Sequence, residues 1–180
     1  MRKSDRLKPR AGEVALPFLE DLYVVSRENV QLAVREGTEA VFVERIAGRS
    51  AVRVLTRVGG RFALHATGVG LVLLADAPPE VFDEVVEAGL SAYTPATITD
   101  PAVLRRTLAD VRRDGYAVSP GAVTEDAVSV AAPVTDLHGR VVAAVSLVVA
   151  IQDARPQALA PLVRAAARGI SRAYAAHGGQ

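Results

Sequence analysis

The chain contains no cysteine in its 180 residues. That absence excludes a disulfide framework, thiolate metal sites and a cysteine nucleophile. Histidine is scarce as well: His65, His138 and His177 lie far apart in the sequence. No His-x-x-x-His ligand pair is present, and no Gly-x-Ser-x-Gly nucleophile elbow. Long apolar runs are missing too. Leu71 to Ala75 and Val141 to Ile151 both stop well before the ~20 residues that a membrane-spanning helix needs, and the N-terminus has no apolar signal region. The expectation is a soluble, cytoplasmic, non-enzymatic protein with no cofactor and no metal.

What is present is apolar substance. Half of the residues are hydrophobic, enough for the core of one domain, which at this length buries roughly 70% of the surface its unfolded chain exposes. The formal net charge of +1 is unevenly spread. Residues 1–10 hold five cations (Arg2, Lys3, Arg6, Lys8, Arg10) against Asp5, so the rest of the chain carries a net −3. A nucleic-acid-binding domain draws most of its affinity from a basic face, and the body of this chain lacks that balance. Residues 1–15 are expected to be a basic leader, a flexible and solvated remnant of a linker. Residues 16–176 are expected to form the domain, and 177–180 a disordered tail.

Hydrophobic spacing predicts a helix over Leu16–Glu28, with Leu16, Leu19, Leu22 and Val25 on one face. Strands follow at Gln31–Arg35 and Glu39–Ile46 around the turn Glu36-Gly37-Thr38, and a third at Ala51–Arg57. Thr67–Ala75 is nearly all apolar and predicts a buried helix capped near Thr67. Further helices are predicted over Glu80–Ala88 and from Asp100-Pro101 to Gly115. Two long strands, Ala127–Thr135 and Arg140–Ala150, are joined by residues 136–139, and a last helix covers Ala158–Ala175. Tight connections within each strand group indicate an antiparallel sheet with helices packed around it, an α+β fold.

The 127–150 hairpin carries the clearest functional signal. One face of its first strand holds Ala127, Ser129, Ala131, Pro133 and Thr135, nearly all small. If residues 136–139 form the loop, Ser129 stands opposite Ser146. Small side chains leave space above a sheet, and two hydroxyls give that space polar handles, as in ligand sites with apolar walls and few polar groups. The same pattern also suits a packed helix, with the serines bonded to each other across the strands. A second signal is Leu64-His65-Ala66-Thr67-Gly68-Val69-Gly70 at a helix start, where glycines let another group approach free backbone N–H groups. His65 fits a role in orienting the adjacent loop better than that of a catalytic base.

In order and spacing, these segments resemble the effector-binding domain of the isocitrate-lyase-regulator (IclR) family from about Leu16 to Tyr174. The carriers include Leu16-Pro17-Phe18-Leu19-Glu20, Val41-Phe42-Val43-Glu44-Arg45-Ile46, Leu64-His65-Ala66-Thr67-Gly68, Tyr93-Thr94-Pro95, Arg113-Asp114-Gly115-Tyr116 and Val130-Ala131-Ala132-Pro133-Val134. The resemblance implies a GAF-like α+β domain of a bacterial transcriptional regulator. It implies a homodimer or homotetramer in which a small-molecule effector controls DNA binding by a helix-turn-helix domain. Carried over by position, the effector pocket would use backbone groups of Gly68 and Val69 and the side chains of Ser119, Ser129 and Ser146. Its apolar wall would fall at Ala51, Val54, Phe62 and Ala127.

The departures from the family pattern shape the expectation. The family often has an acid where Ser119 stands, a cysteine at Ser129, a second serine at Val148 and a lysine at Leu71. Their loss makes the pocket more apolar, so the expected effector is an aromatic or medium-chain carboxylate rather than a glyoxylate-like acid. Only about fifteen residues precede the first matching helix, too few for the winged helix-turn-helix, so the sequence fits a fragment or a stand-alone sensor. The alternatives are a ligand-binding or dimerisation module with no DNA-binding role, an enzyme acting on a small ester or acid, and a sensor domain cut from a kinase or cyclase.

Overall fold

A computed structural model describes residues 3–49, 52 and 54–177. Helix α1 (Lys3–Ser26) leads into β1 (Asn29–Glu36), β2 (Glu39–Ile46) and the short β3 (Arg61–Ala63). A single 3₁₀ turn, Leu64–Ala66, opens α2 (Gly68–Ala75), followed by α3 (Pro79–Ala88) and α4 (Pro101–Asp114). Then come β4 (Ala117–Pro120), β5 (Ala127–Thr135), β6 (Val141–Ala150) and α5 (Pro156–His177). Among the described residues the strands form one six-stranded sheet in the order β3-β2-β1-β6-β5-β4, antiparallel throughout. The α+β expectation holds.

Each face of the sheet has its own helix layer, because both faces are apolar. Val30, Leu32, Val130, Val145 and Leu147 point to the side covered by α1 and α5, meeting Leu19, Leu22, Val163 and Ile170. Burying each such side chain contributes about 1.5–3 kcal/mol. The opposite face carries Ala33, Ala131 and Ala144, small enough to let α2 lie close, with α4 outside it through Leu104, Leu108 and Val111. Helix α2 is therefore buried all round, which explains why its sequence has no polar side.

Local signals end the elements as expected. Asp100 accepts a hydrogen bond from Ala102 N at 2.7 Å and Pro101 opens α4, while Gly115 leaves it in the left-handed region at φ 76°. Thr67 caps α2, its Oγ1 accepting from Gly70 N at 3.0 Å.

Four expectations need correction. Helix α1 begins at Lys3 rather than Leu16, so residues 3–15 are helical instead of a flexible leader. Ala11 and Ala15, only 2% and 0% exposed, continue the Leu19–Leu22 stripe toward the N-terminus, and alanine was not counted as core. Residues 54–57 are not a strand; the third strand lies at Arg61–Ala63, beyond Gly59-Gly60. No strand is expected between Gly115 and Ala127, where β4 (Ala117–Pro120) lies. At the C-terminus His177 is the last residue of α5, and 178–180 lie outside the described residues.

Candidate functional site

The hairpin register decides which side chains can meet. The expected opposition of Ser129 and Ser146 does not occur: Ser129 pairs with Val148, and Ser146 with Ala131. Thr135 pairs with Val141, one residue past Arg140, and the irregularity between Val134 and Thr135 adds one more, so the register differs by two residues from the expected one. An even shift keeps every side chain on its face, so both serines stay on the α2 side, displaced along the strands. Ser129 instead faces Ser119 directly across β4 and β5. Ser146 pairs with Gln31 across β6 and β1.

A hollow lies over this part of the sheet, with about 470 Å³ of empty space, some of it open to solvent. Its floor runs across five strands: Phe42 on β2, Gln31 on β1, Val148 on β6, Ala127 and Ser129 on β5, and Ser119 on β4. Ala66, Thr67 and Val69, around the start of α2, form one wall. The rest comes from two loop segments, Val54–Thr56 and Ala122–Thr124. None of the described lining residues is charged or titratable. Among the described lining residues, the groups open to an acid are hydroxyls, amides and the helix start.

Both sequence readings of the small-residue face hold in part. Where Ala131 and Ala144 stand, α2 packs onto the sheet; where Ala127 and Ser129 stand, the space stays open. Gly68 marks the boundary. A Cβ there would lie 2.5 Å from Ser129 Oγ and 3.1 Å from Ser129 Cβ, so only glycine lets the helix start so close to β5. Gly70 has the same role against Leu64, whose carbonyl oxygen would be 2.2 Å from an added Cβ. The N–H groups of Gly68 and Val69 belong to the first turn, ahead of any intrahelical acceptor.

Of the site residues expected from the sequence, Val54, Val69, Ser119, Ala127 and Ser129 line the hollow. Gly68 lies against Ser129. Phe62 is one layer back, in an edge-to-face contact with the lining Phe42 at 6.3 Å between ring centroids. Ser146 lies behind the lining, fully buried, its Oγ without a hydrogen-bond partner. Ala51 is outside the described residues.

Sequence reading missed Gln31 and Thr56. Gln31 is 3% exposed, and its Nε2 donates to Thr56 Oγ1, tying the 54–56 segment to β1. The sequence signal was a polar residue inside an otherwise apolar strand of a sheet that needs helices on both faces. His65 is 1% exposed, and its Nε2 donates to Ser91 O at 2.9 Å, which ties the turn before α2 to the segment after α3. Among the described residues no group of three His, Asp or Glu could hold a metal ion, and no helix is long and apolar enough to cross a membrane.

An antiparallel sheet between two helix layers, hollowed beside one helix start, defines an α+β domain of the GAF-like kind. The family model described as "Bacterial transcriptional regulator IclR C-terminal" matches residues 11–172, and the chain belongs to that family. It is 37% identical over 161 residues to the HTH-type transcriptional repressor AllR of Klebsiella pneumoniae, covering 87% of this chain and 59% of that protein. It is 34% identical over 163 residues to the HTH-type transcriptional regulator BhcR of Paracoccus denitrificans, covering 88% and 58%. The chain thus spans little more than half the length of these curated relatives. Among solved structures, an IclR homolog from Microbacterium hydrocarbonoxydans, complexed with 4-hydroxybenzoate, superposes with a TM-score of 0.88 at 40% identity, over 97% of this chain and 70% of that one. The IclR of Thermotoga maritima gives 0.86 at 28% identity, over 92% and 68%.

Proposed function

We propose that this chain senses a small-molecule effector for a bacterial IclR-type transcriptional regulator, and that occupancy of the hollow controls DNA binding by a helix-turn-helix domain. The observation that carries this reading is an uncharged hollow at a helix start in a domain of this family. The residues that would hold the effector are Ser119, Ser129 and Ser146, the backbone of Gly68 and Val69, and an apolar wall that includes Val54, Phe62, Ala51 and Ala127. The sensing domain would run over residues 16–176, with α1 extending into it from residues 3–15. Such a protein would act in the cytoplasm as a homodimer or homotetramer, and would carry out no catalysis.

The effector would be a moderately apolar carboxylate or an aromatic metabolite. The described lining residues include several apolar side chains and no cation, and a relative at 40% identity was solved with 4-hydroxybenzoate. A purely dimerising module is the less favoured alternative, because α2 leaves the space over Ser129 unfilled. A thermal-shift panel tests the proposal. A ligand at a hundredfold excess over its Kd stabilises the folded chain by about 2.7 kcal/mol. Aromatic and medium-chain carboxylates should raise the melting temperature. Stabilisation by small, highly polar acids alone would overturn this effector class.

A further inference from the structure

We infer that Gln31 selects among effectors, by requiring an uncharged hydrogen-bonding group, such as a hydroxyl, at the end of the ligand opposite its carboxylate. The inference rests on the proposed function and assigns the second end of the same hollow.

The lining has two polar poles. Ser119, Ser129, Thr124 and the start of α2 form one, on the β4–β5 side. Gln31 and Thr56 form the other, on the β1 side. On β6, which separates β1 from β5, Val148 pairs with Ser129 and Ser146 with Gln31. Gln31 and Ser129 are two strand spacings apart across the sheet and two residues apart along it, roughly 12 Å between their backbones. A flat apolar ring with one polar group at each end fits that span.

The chemistry of the β1 pole is neutral. A primary amide has two N–H donors and a carbonyl acceptor, and Gln31 uses one donor on Thr56 Oγ1. What remains suits a hydroxyl, which both donates and accepts. A second carboxylate at this pole would lose its hydration and find no counter-charge among the described lining residues, which is costly. A methyl group there would cover the amide and leave its remaining hydrogen bonds unmade. Sites built to hydrogen-bond a ligand hydroxyl reject the analogue that lacks it. Gln31 is 3% exposed and sits in the central part of the sheet between β2 and β6, so it cannot swing out to solvent to escape that loss.

Calorimetric titration of the 180-residue chain with 4-hydroxybenzoate, 4-methylbenzoate and terephthalate tests this. The first two ligands match in shape and differ in the hydroxyl alone. The expected result is 4-hydroxybenzoate binding about tenfold tighter than 4-methylbenzoate, with terephthalate weakest. In Gln31→Met that preference should fall to near one, with the melting temperature of the free protein retained. Equal affinity for the first two acids in the unaltered chain overturns the inference, and needs no variant to fold. A preference that survives in Gln31→Met also overturns it. If the folded chain binds none of the three acids, the aromatic-acid reading itself fails, a result distinct from loss of discrimination.

Discussion

Gly68 and Ser129 touch across the α2–β5 junction so closely that a methyl group on Gly68 would stand 2.5 Å from the Ser129 hydroxyl oxygen. Gly68→Ala must therefore displace the hydroxyl and crowd Ser129 Cβ, which would be 3.1 Å away. The expected destabilisation is about 1–3 kcal/mol, typical of overpacking. Ser129→Ala in the same chain should recover only part of it, because the oxygen is removed and the Cβ is not. Denaturant unfolding of the two single variants and the double variant would show this coupling as non-additivity.

The proposed function sets opposite expectations for Ser146 in the free and in the occupied protein. Its Oγ is fully buried without a hydrogen-bond partner, and an unsatisfied buried hydroxyl costs stability. Ser146→Ala should leave the free protein as stable as before or about 1 kcal/mol more stable. If the hydroxyl serves an effector, the same variant binds that effector more weakly. Urea midpoints with and without ligand check both signs, and a destabilised free protein would show that the hydroxyl has a structural partner.

Gly169 on α5 lies under the Phe18 ring of α1, where an added Cβ would be 2.6 Å from two ring carbons. A ring moves less readily than a serine hydroxyl, so Gly169→Ala should separate the two helices. The expected cost is about 1–3 kcal/mol, read as a lower urea midpoint. Because these helices cover the face away from the hollow, effector affinity should change less than in Gly68→Ala.

Asp136 holds the β5–β6 turn. Burial works to raise its pKa, but the Arg140 side chain, the backbone N–H groups of Arg140 and His138 and the Arg140 charge outweigh it and hold the carboxyl below its ordinary value. A carboxylate depressed in the folded state contributes stability that is complete above the unfolded pKa, near 3.9, and is lost as pH falls through the folded value. The Arg140 side chain is 65% exposed, so this contribution should stay below about 1 kcal/mol. Comparing urea midpoints of the natural chain and Asp136→Asn should give a constant difference between pH 7 and pH 5 (on the order of that same energy) that shrinks below pH 4.

Much of the fold was legible because its signals are local. Thr67, Asp100-Pro101 and Gly115 mark helix ends by their own hydrogen bonding and backbone preference. The hairpin of β5 and β6 stood out as two long β-branched runs. Its register did not, since the irregularity at Val134–Thr135 depends on how the turn closes. Strand β4 is four residues long and ends in proline, too short to show alternation. The site was half legible. Small residues disclosed the open face at Ala127 and Ser129, but Gln31 read as an ordinary outward polar residue, a rule for sheets with one wet face. Here both faces are covered, so the alternate positions of β1 are all interior.

That double covering has a mechanical consequence for β1. Gln31 borders the hollow, while its neighbours Val30 and Leu32 project to the other side and meet Leu19 and Leu22 of α1. The backbone of β1 therefore links the hollow to the face that seats α1. A ligand that displaced Gln31 would move backbone that lies one residue from the seat of that helix, with the ribbon itself as the lever.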